Sequence, residues 1–216
     1  MSAVRSLLGK LSENYNYYYK YGAYYVSLWS KFVLYPKTPW WNRIDDRIVL
    51  GAIPLKNYDH DEMLVRDERI GYVLSMVEMF EIEARSPITK PVQPADWAER
   101  KVQQRILETP DYGGVALEVI DRGVDTLLEW TAEIDKATGA HSGAGPSPSP
   151  SIYVHCKAGR GRSATIVGAY LMKKFGKTPD QALRILQNER SVVHLNGEQF
   201  RGLETYYETR CRKKPF

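Results

Sequence analysis

The chain is short of the residues that would make it a disulfide or metal scaffold. Of its 216 residues only two are cysteine and four histidine, and no C-x-x-C pair occurs. Two cysteines cannot build a disulfide framework and suit a reducing compartment. Scattered histidines without a cysteine pair do not supply a structural zinc site. Long apolar runs are missing as well. The longest charge-free run near the start, residues 21–30, falls well short of the ~20 residues that a membrane-spanning helix needs. Charge of one sign is scarce: 30 Lys+Arg against 26 Asp+Glu leaves +4, too little to argue for nucleic acid as a partner. What is there, 43% hydrophobic residues over 216 positions, suits one globular domain with a core, soluble or peripheral to a membrane.

Residues 1–35 form an aromatic, basic leader. Seven of the 15 tyrosines fall between Tyr15 and Tyr25, and Trp29, Phe32 and Tyr35 follow. Written as a helix, Tyr17, Tyr21, Tyr24, Tyr25, Leu28 and Phe32 share a stripe, with Lys20, Ser27 and Lys31 away from it. Tyr and Trp beside Lys suit a lipid headgroup boundary, because each ring joins an apolar body to a polar edge. The leader is therefore expected to be a membrane-interface helix or a targeting segment, the alternative being an amphipathic helix packed on its own domain. Arg5, Lys10, Lys20 and Lys31 against Glu13 suit a mitochondrial segment, while the tyrosine load favours retained membrane contact over cleavage.

From Trp40 onward the pattern alternates strand and helix. Residues 47–50, 70–75 and 102–107 read as strands and residues 115–134 as a helix. The Gly/Ser/Pro tract at residues 138–151 cannot build a core and is expected to be a flexible surface loop. Beyond it, residues 152–156 read as a strand and 163–175 as a helix stopped by Gly176. Thr178-Pro-Asp-Gln181 is a capping box opening a helix to about Arg190, and Asn196-Gly-Glu-Gln199 caps a last helix. Such alternation predicts an α/β fold with a mostly parallel sheet flanked by helices. The domain is expected to span residues 36–210, with residues 211–216 a basic tail.

The chemistry is concentrated in HCKAGRGRS at residues 155–163. A strand enters it, a helix leaves it, and Gly159 and Gly161 lie between. Glycines let successive backbone N–H groups turn inward on an anion, and the next helix adds its unpaired N–H groups and dipole. Lys157, Ala158, Gly159, Arg160, Gly161 and Arg162 are the expected phosphate-binding residues. The donors that hold a phosphate also stabilise a thiolate, so Cys156 is the expected nucleophile. Arg162 can lay its planar fork on two phosphoryl oxygens. Ser163 can hydrogen-bond the sulfur, or merely cap the helix. Lys157 and Arg160 are expected to make the rim of the loop basic, which suits a polyanionic headgroup near an anionic membrane.

This loop resembles the signature of the cysteine-dependent protein tyrosine phosphatase superfamily, dual-specificity branch. Tyr35-Pro36, residues 41–45, residues 49–54 and residues 190–194 resemble its subgroup of mitochondrial lipid phosphatases acting on phosphatidylglycerophosphate. The resemblance runs from about Tyr35 to Tyr207. It implies a single-domain dual-specificity-phosphatase fold and a phosphocysteine mechanism without metal or organic cofactor. It further implies a phospholipid headgroup as substrate and a mitochondrial, inner-membrane-associated location, the alternative being the cytoplasm. Two stretches differ from the family pattern: residues 76–80 stand where an Asn-Glu-Glu-Tyr-like run is expected, and Asn196-Gly-Glu replaces an Arg-Pro-Gly-like one.

The leaving oxygen needs a proton, because an alkoxide is a poor leaving group near neutral pH. Asp111 follows a predicted strand in a loop marked by Pro110, Gly113 and Gly114. It also matches the position of the family's general acid. Asp96, Asp121 and Asp125 compete, the last two inside a predicted helix. His155 is expected to support the loop backbone, and Gln199 to cap its helix or, by family analogy, to orient water. A protein or phosphoinositide phosphatase, or an inactive anion-binding module, would be the alternatives to a lipid-headgroup phosphatase.

Overall fold

The computed structural model describes residues 21, 22, 24–26, 28, 37–84, 86, 88–138 and 149–212. The chain divides after Thr38 into two units. In the first, residues 21, 22, 24–26 and 28 are helical, and the rings of Tyr24 and Tyr25 meet edge-on with centroids 5.4 Å apart. The rest of the leader, including Tyr17 and Phe32 of the predicted stripe, lies outside the described residues. So do residues 139–148 of the Gly/Ser/Pro tract and the tail after Arg212.

The second unit is built on a five-stranded sheet. Its strands are β1 (Trp41–Arg43), β2 (Ile48–Gly51), β3 (Ile70–Ser75), β4 (Gln103–Ile106) and β5 (Ser151–His155). They lie in the order β1-β2-β5-β3-β4. Only β1 is antiparallel to its neighbour; the other pairings are parallel. The central strand β5 is buried along its whole length, as expected of a parallel strand covered on both faces. Its side chains alternate accordingly. Ile152 and Val154 join the larger core cluster, and Tyr153 the smaller one with Val73, Val49 and Trp97.

Seven helices are described: α1 (His60–Asp67), α2 (Met79–Glu83), α3 (Pro94–Glu99), α4 (Leu117–Thr138), α5 (Arg162–Phe175), α6 (Pro179–Glu189) and α7 (Gly197–Tyr206). Their local logic follows the expected signals. The Thr178 hydroxyl accepts the Gln181 N–H at α6, and the Asn196 side chain does the same for Gln199 at α7. Gly176 ends α5 in the left-handed conformation. The larger core, with Trp130, Ile166, Val167 and Leu203, lies on the α4, α5 and α7 side; Leu64 of α1 and Trp97 of α3 fill the smaller one. The edge strand β1 and the short helices α1, α2 and α3 had no clear periodic signal. Each is too short to show one; β1 is held by pairing with β2, and α1 and α3 by packing against β3 and β4.

The site follows from this topology. The carboxyl ends of β2, β3, β4 and β5 open toward one edge of the sheet, where α/β folds bind ligands. Residues 52–55, 76–81, 107–116 and 156–161 leave those ends and meet there.

Candidate active site

The stretch between β5 and α5 is held from outside by its carbonyl oxygens. Ile53 N–H donates to the Lys157 carbonyl at 3.1 Å, His194 N–H to that of Arg160 at 3.1 Å, and Thr165 N–H to that of Gly161 at 2.8 Å. Arg190, a buried guanidinium from the end of α6, covers the remaining two: Nε reaches the Gly159 carbonyl at 2.9 Å and Nη2 that of Ala158 at 3.3 Å. Its Nη1 bonds the Asn42 side chain at 2.7 Å and the Pro39 carbonyl at 3.1 Å. With the carbonyls fixed outward, the amides turn inward. The Arg160 and Ser163 N–H groups donate to the Cys156 sulfur.

Two glycines make the curvature possible. Gly159 has φ +64°, and a Cβ there would overlap the Gly51 carbonyl and stand 2.9 Å from the Ala52 nitrogen. A Cβ on Gly161 would meet the Gln199 amide at 2.7 Å. The loop thus packs against β2 on one side and α7 on the other.

Cys156 lies at the floor of this cradle, 4% exposed. Burial pushes its thiol up, but the Arg162 charge, the Ser163 hydroxyl and the two amides outweigh that and bring it below the ordinary thiol range. Ser163 Oγ donates to Sγ at 3.2 Å. The residue that caps α5 is Gly161, so Ser163 lies inside the helix with its hydroxyl on the sulfur. The simple capping alternative does not hold.

Arg162 is fully buried and distributes its donors widely. Nη1 and Nη2 bond the two oxygens of Glu81 at 2.6 and 2.9 Å. Nη1 also reaches the Thr109 carbonyl at 2.8 Å, and Nη2 stands 3.1 Å from Asp111 Oδ1. Its Nε–H is buried with no hydrogen-bond partner among the described residues. Burial opposes the charge on Arg162, yet the Glu81 carboxylate more than compensates and holds the guanidinium protonated. The fork expected at the guanidinium tip is therefore engaged. The Nε edge is the one left over.

Asp111, in the loop after β4, lies between Arg162 and Lys157, and Lys157 Nζ donates to its Oδ2. The loop that carries it is tied to α7 by three bonds. Asn196 Nδ2 donates to the Tyr112 carbonyl at 3.0 Å, Gln199 Nε2 to the Gly113 carbonyl at 3.2 Å, and Gly114 N–H to Glu198 Oε2 at 2.9 Å. Gln199 is the capping residue and a loop anchor together. The competing aspartates lie on other elements: Asp96 closes the capping box of α3 by accepting from the Gln93 N–H, Asp121 pairs with Arg210 at 2.9 Å, and Asp125 lies within α4.

The expectation for Lys157 needs correcting. Only Arg160 of the two basic loop residues is exposed, its Nε on the Val192 carbonyl at 3.0 Å. Lys157 is 7% exposed and turned onto Asp111 and Tyr112. The Lys157 side chain faces the interior once its carbonyl is fixed outward, and the Asp111 carboxylate then captures it. Burial lowers the affinity of Lys157 for its proton, but Asp111 and Tyr112 overcome this and leave it raised.

Glu81 and Arg190 were not singled out in the sequence. Glu81 had one local signal, its spacing three residues after Glu78, which forms a capping box at α2 with the Glu78 N–H on Glu81 Oε2 at 2.9 Å. Arg190 carried none beyond lying in a family-like stretch.

His155 supports the cradle from beneath. Its Nδ1 lies 3.2 Å from the Cys156 carbonyl and its Nε2 2.8 Å from Ser75 Oγ, which in turn accepts from Gln104 Nε2 at 2.9 Å. That chain fits a neutral ring with the proton on Nδ1. Burial is the main reason its pKa falls from 6.5 to about 4, with the Arg162 charge adding to it. Between those values the unfolded chain binds a proton that the folded chain refuses, so stability falls as pH drops through the window. Denaturant unfolding should lose about 2–3 kcal/mol between pH 7 and pH 4.5 through this residue. His155→Gln should flatten that slope; an unchanged slope would mean that the ring is charged or hydrated. Asp61, held below the ordinary carboxylate range by Lys56 and Arg100 despite its burial, titrates lower and leaves the window clear.

The comparisons with known proteins agree with this geometry. A family model described as dual specificity phosphatase, catalytic domain, matches residues 122–209. Phosphatidylglycerophosphatase and protein-tyrosine phosphatase 1 of Mus musculus is 32% identical over 170 residues, covering 78% of this chain and 77% of that relative. The protein of the same name from Homo sapiens is 31% identical over 170 residues, 78% and 74%. A crystal structure of PTPMT1 in complex with PI(5)P superposes with a TM-score of 0.63 at 31% identity, covering 79% of this chain and 96% of that one. Kinship at that level along most of both chains means that this protein belongs to the dual-specificity branch of the cysteine-dependent phosphatases, enzymes that hydrolyse phosphoric monoesters.

Proposed function

We propose that this phosphatase hydrolyses phosphatidylglycerophosphate to phosphatidylglycerol and inorganic phosphate through a phosphocysteine. The Cys156 thiolate attacks phosphorus in line with the leaving oxygen. Loop amides from Lys157 to Arg162 and the Nε edge of Arg162 take the non-bridging oxygens. Asp111 gives its proton to the departing glycerol oxygen, and the P–O bond breaks as the S–P bond forms. In the second step Asp111 takes a proton from water, which attacks phosphorus. Ser163 Oγ–H then hydrogen-bonds the leaving sulfur and lowers the cost of releasing it as a thiolate. Positioning and charge stabilisation supply most of what phosphoryl transfer needs.

The observation that carries the chemistry is the meeting of Cys156, Arg162 and Asp111 at one point, with Ser163 on the sulfur. The lipid substrate is supported by the names of the mouse and human relatives. A phosphoinositide is the second reading, favoured by the PI(5)P complex of a relative's structure. The exposed Arg160 suits either headgroup. The basic aromatic leader supports a peripheral membrane position, in the mitochondrion and at its inner membrane.

Phosphate release from phosphatidylglycerophosphate, a phosphoinositide and a phosphotyrosine peptide, each presented to the enzyme separately, tests the assignment. A preference for phosphatidylglycerophosphate of about a hundredfold or more in kcat/KM is the expected result, equivalent to ~2.7 kcal/mol of selective transition-state binding. A preference for either other substrate would replace the lipid assignment and leave the cysteine mechanism standing.

A further inference from the structure

Lys157 directly follows the nucleophile, yet its ammonium does not face the open mouth of the cradle. Nζ donates to Asp111 Oδ2 and to Tyr112 Oη at 3.2 Å, and lies 4.7 Å from the centroid of the Tyr112 ring. A lysine that steered phosphate would keep a hydrated head at the rim. This one is buried and fully engaged with the acid loop.

Tyr112 shows that the engagement has a conformational cost. It adopts φ +65°, a region that bulky residues avoid, and the residue remains 70% exposed. Such strain persists only where surrounding contacts impose it. Here they come from both sides. The Asn196 side chain holds the Tyr112 carbonyl, and Lys157 holds the hydroxyl and ring face.

The two oxygens of Asp111 are thereby made different. Oδ2 faces Lys157, whereas Oδ1 stands 3.1 Å from Arg162 Nη2, on the cradle side. With Oδ2 held by Lys157, Oδ1 is the oxygen on the cradle side, where a proton carried toward the leaving oxygen would take the place of the contact with Arg162 Nη2. We propose that Lys157 is a positioning residue of the acid loop, a latch that with Tyr112 holds Asp111 over the cradle with Oδ1 toward the departing group. The proposal rests on the reading of Asp111 as the proton donor. It assigns to Lys157 side-chain work in leaving-group protonation instead of phosphate binding.

The two roles separate by leaving group. Phenyl phosphate and p-nitrophenyl phosphate are similar in shape, but phenolate needs protonation on departure far more than nitrophenolate. Lys157→Met should lower kcat on phenyl phosphate about tenfold more than on p-nitrophenyl phosphate, with KM shifting less than about threefold on either. Lys157→Arg should recover most of that ratio, and Tyr112→Phe should show the same bias at about threefold. Asp111→Asn, run alongside, should show the largest bias of the set.

If Lys157→Met raises KM equally on both esters and leaves the kcat ratio at the parental value, Lys157 binds phosphate and the latch is wrong. If Asp111→Asn shows no leaving-group bias, the donor itself has been misassigned and the latch falls with it. A bias in Asp111→Asn without one in Lys157→Met or Tyr112→Phe overturns the latch alone. Thermal unfolding of each variant identifies any that fails to fold. Should Lys157→Met be one of these, Tyr112→Phe and Asn196→Ala decide the matter by the same ratio.

Discussion

Cys156→Ser should abolish phosphate release, lowering kcat by at least ~10⁴-fold on every ester while leaving the fold intact. The cradle is arranged to bring a thiol below its ordinary range, through Arg162, the Ser163 hydroxyl and two amides working against burial. A serine hydroxyl starts far higher, and the same donors cannot ionise it near neutral pH. Oxygen nearly preserves the size of the side chain, so the core around it should not respond, and the variant should still bind vanadate or substrate. The wild-type thiol itself offers a second reading. Its alkylation rate plotted against pH should have a midpoint below the ~8.5 of a free cysteine. A midpoint at or above that value would mean that burial dominates and that the thiolate is not prepared in advance. A Cys156→Ser enzyme that retained several per cent of activity would remove the cysteine from the mechanism.

Glu81→Ala should be the most costly substitution for stability, by about 3–5 kcal/mol. Arg162 and Glu81 are each 1% exposed and joined by two bonds at 2.6 and 2.9 Å. Removing the carboxylate leaves a guanidinium in the interior with, among the described residues, the Thr109 carbonyl and Asp111 within reach of its donors. The capping box of α2 is lost in the same stroke, since Glu81 also receives the Glu78 N–H. Activity should fall as well, by about 10²–10³-fold in kcat/KM, because the Nε edge of Arg162 is aimed only while the other end is held. Denaturant unfolding of Glu81→Ala beside Glu81→Gln checks both expectations. Gln keeps one of the two hydrogen-bonding oxygens and should recover part of the stability. Equal stability of Glu81→Ala and the parent would show that water reaches Arg162 and replaces the carboxylate.

Arg190 illustrates a different use of a buried cation. Among the described residues its hydrogen-bond acceptors are neutral, at Gly159, Ala158, Asn42 and Pro39, and burial holds it below the ordinary arginine range. It keeps its charge there because arginine starts so high. Fixing two loop carbonyls from outside leaves the neighbouring amides to turn toward the Cys156 sulfur.

The parts of this protein that could be read from its sequence are those whose signals are contiguous. Strand β5, the glycine-bearing loop and α5 follow one another without interruption, so residues 151–175 declare both their conformation and their chemistry. Caps at Thr178 and Asn196 are likewise encoded within four residues and recur in the structure unchanged. Asp111 was legible because a turn-rich loop following a strand is where an acid can reach a neighbouring strand end. Other features depend on residues far apart in the chain. Glu81 meets Arg162 across 81 positions, Asn42 meets Arg190 across 148, and Asn196 reaches Tyr112 across 84. No periodicity or spacing encodes such pairs; only the parallel sheet, by bringing four strand ends to one edge, makes them neighbours. The orientation of Lys157 belongs to the same class. Its position beside the nucleophile is local and suggests a basic rim, whereas the direction of its ammonium was decided by where tertiary packing put a carboxylate. Sequence alone therefore pointed to Cys156, to the glycine-bearing loop and to the α/β pattern, which depend on backbone conformation over a few residues. Tertiary structure decided which charges are paired, because burial makes an unpaired charge too costly and proximity in space selects the partner.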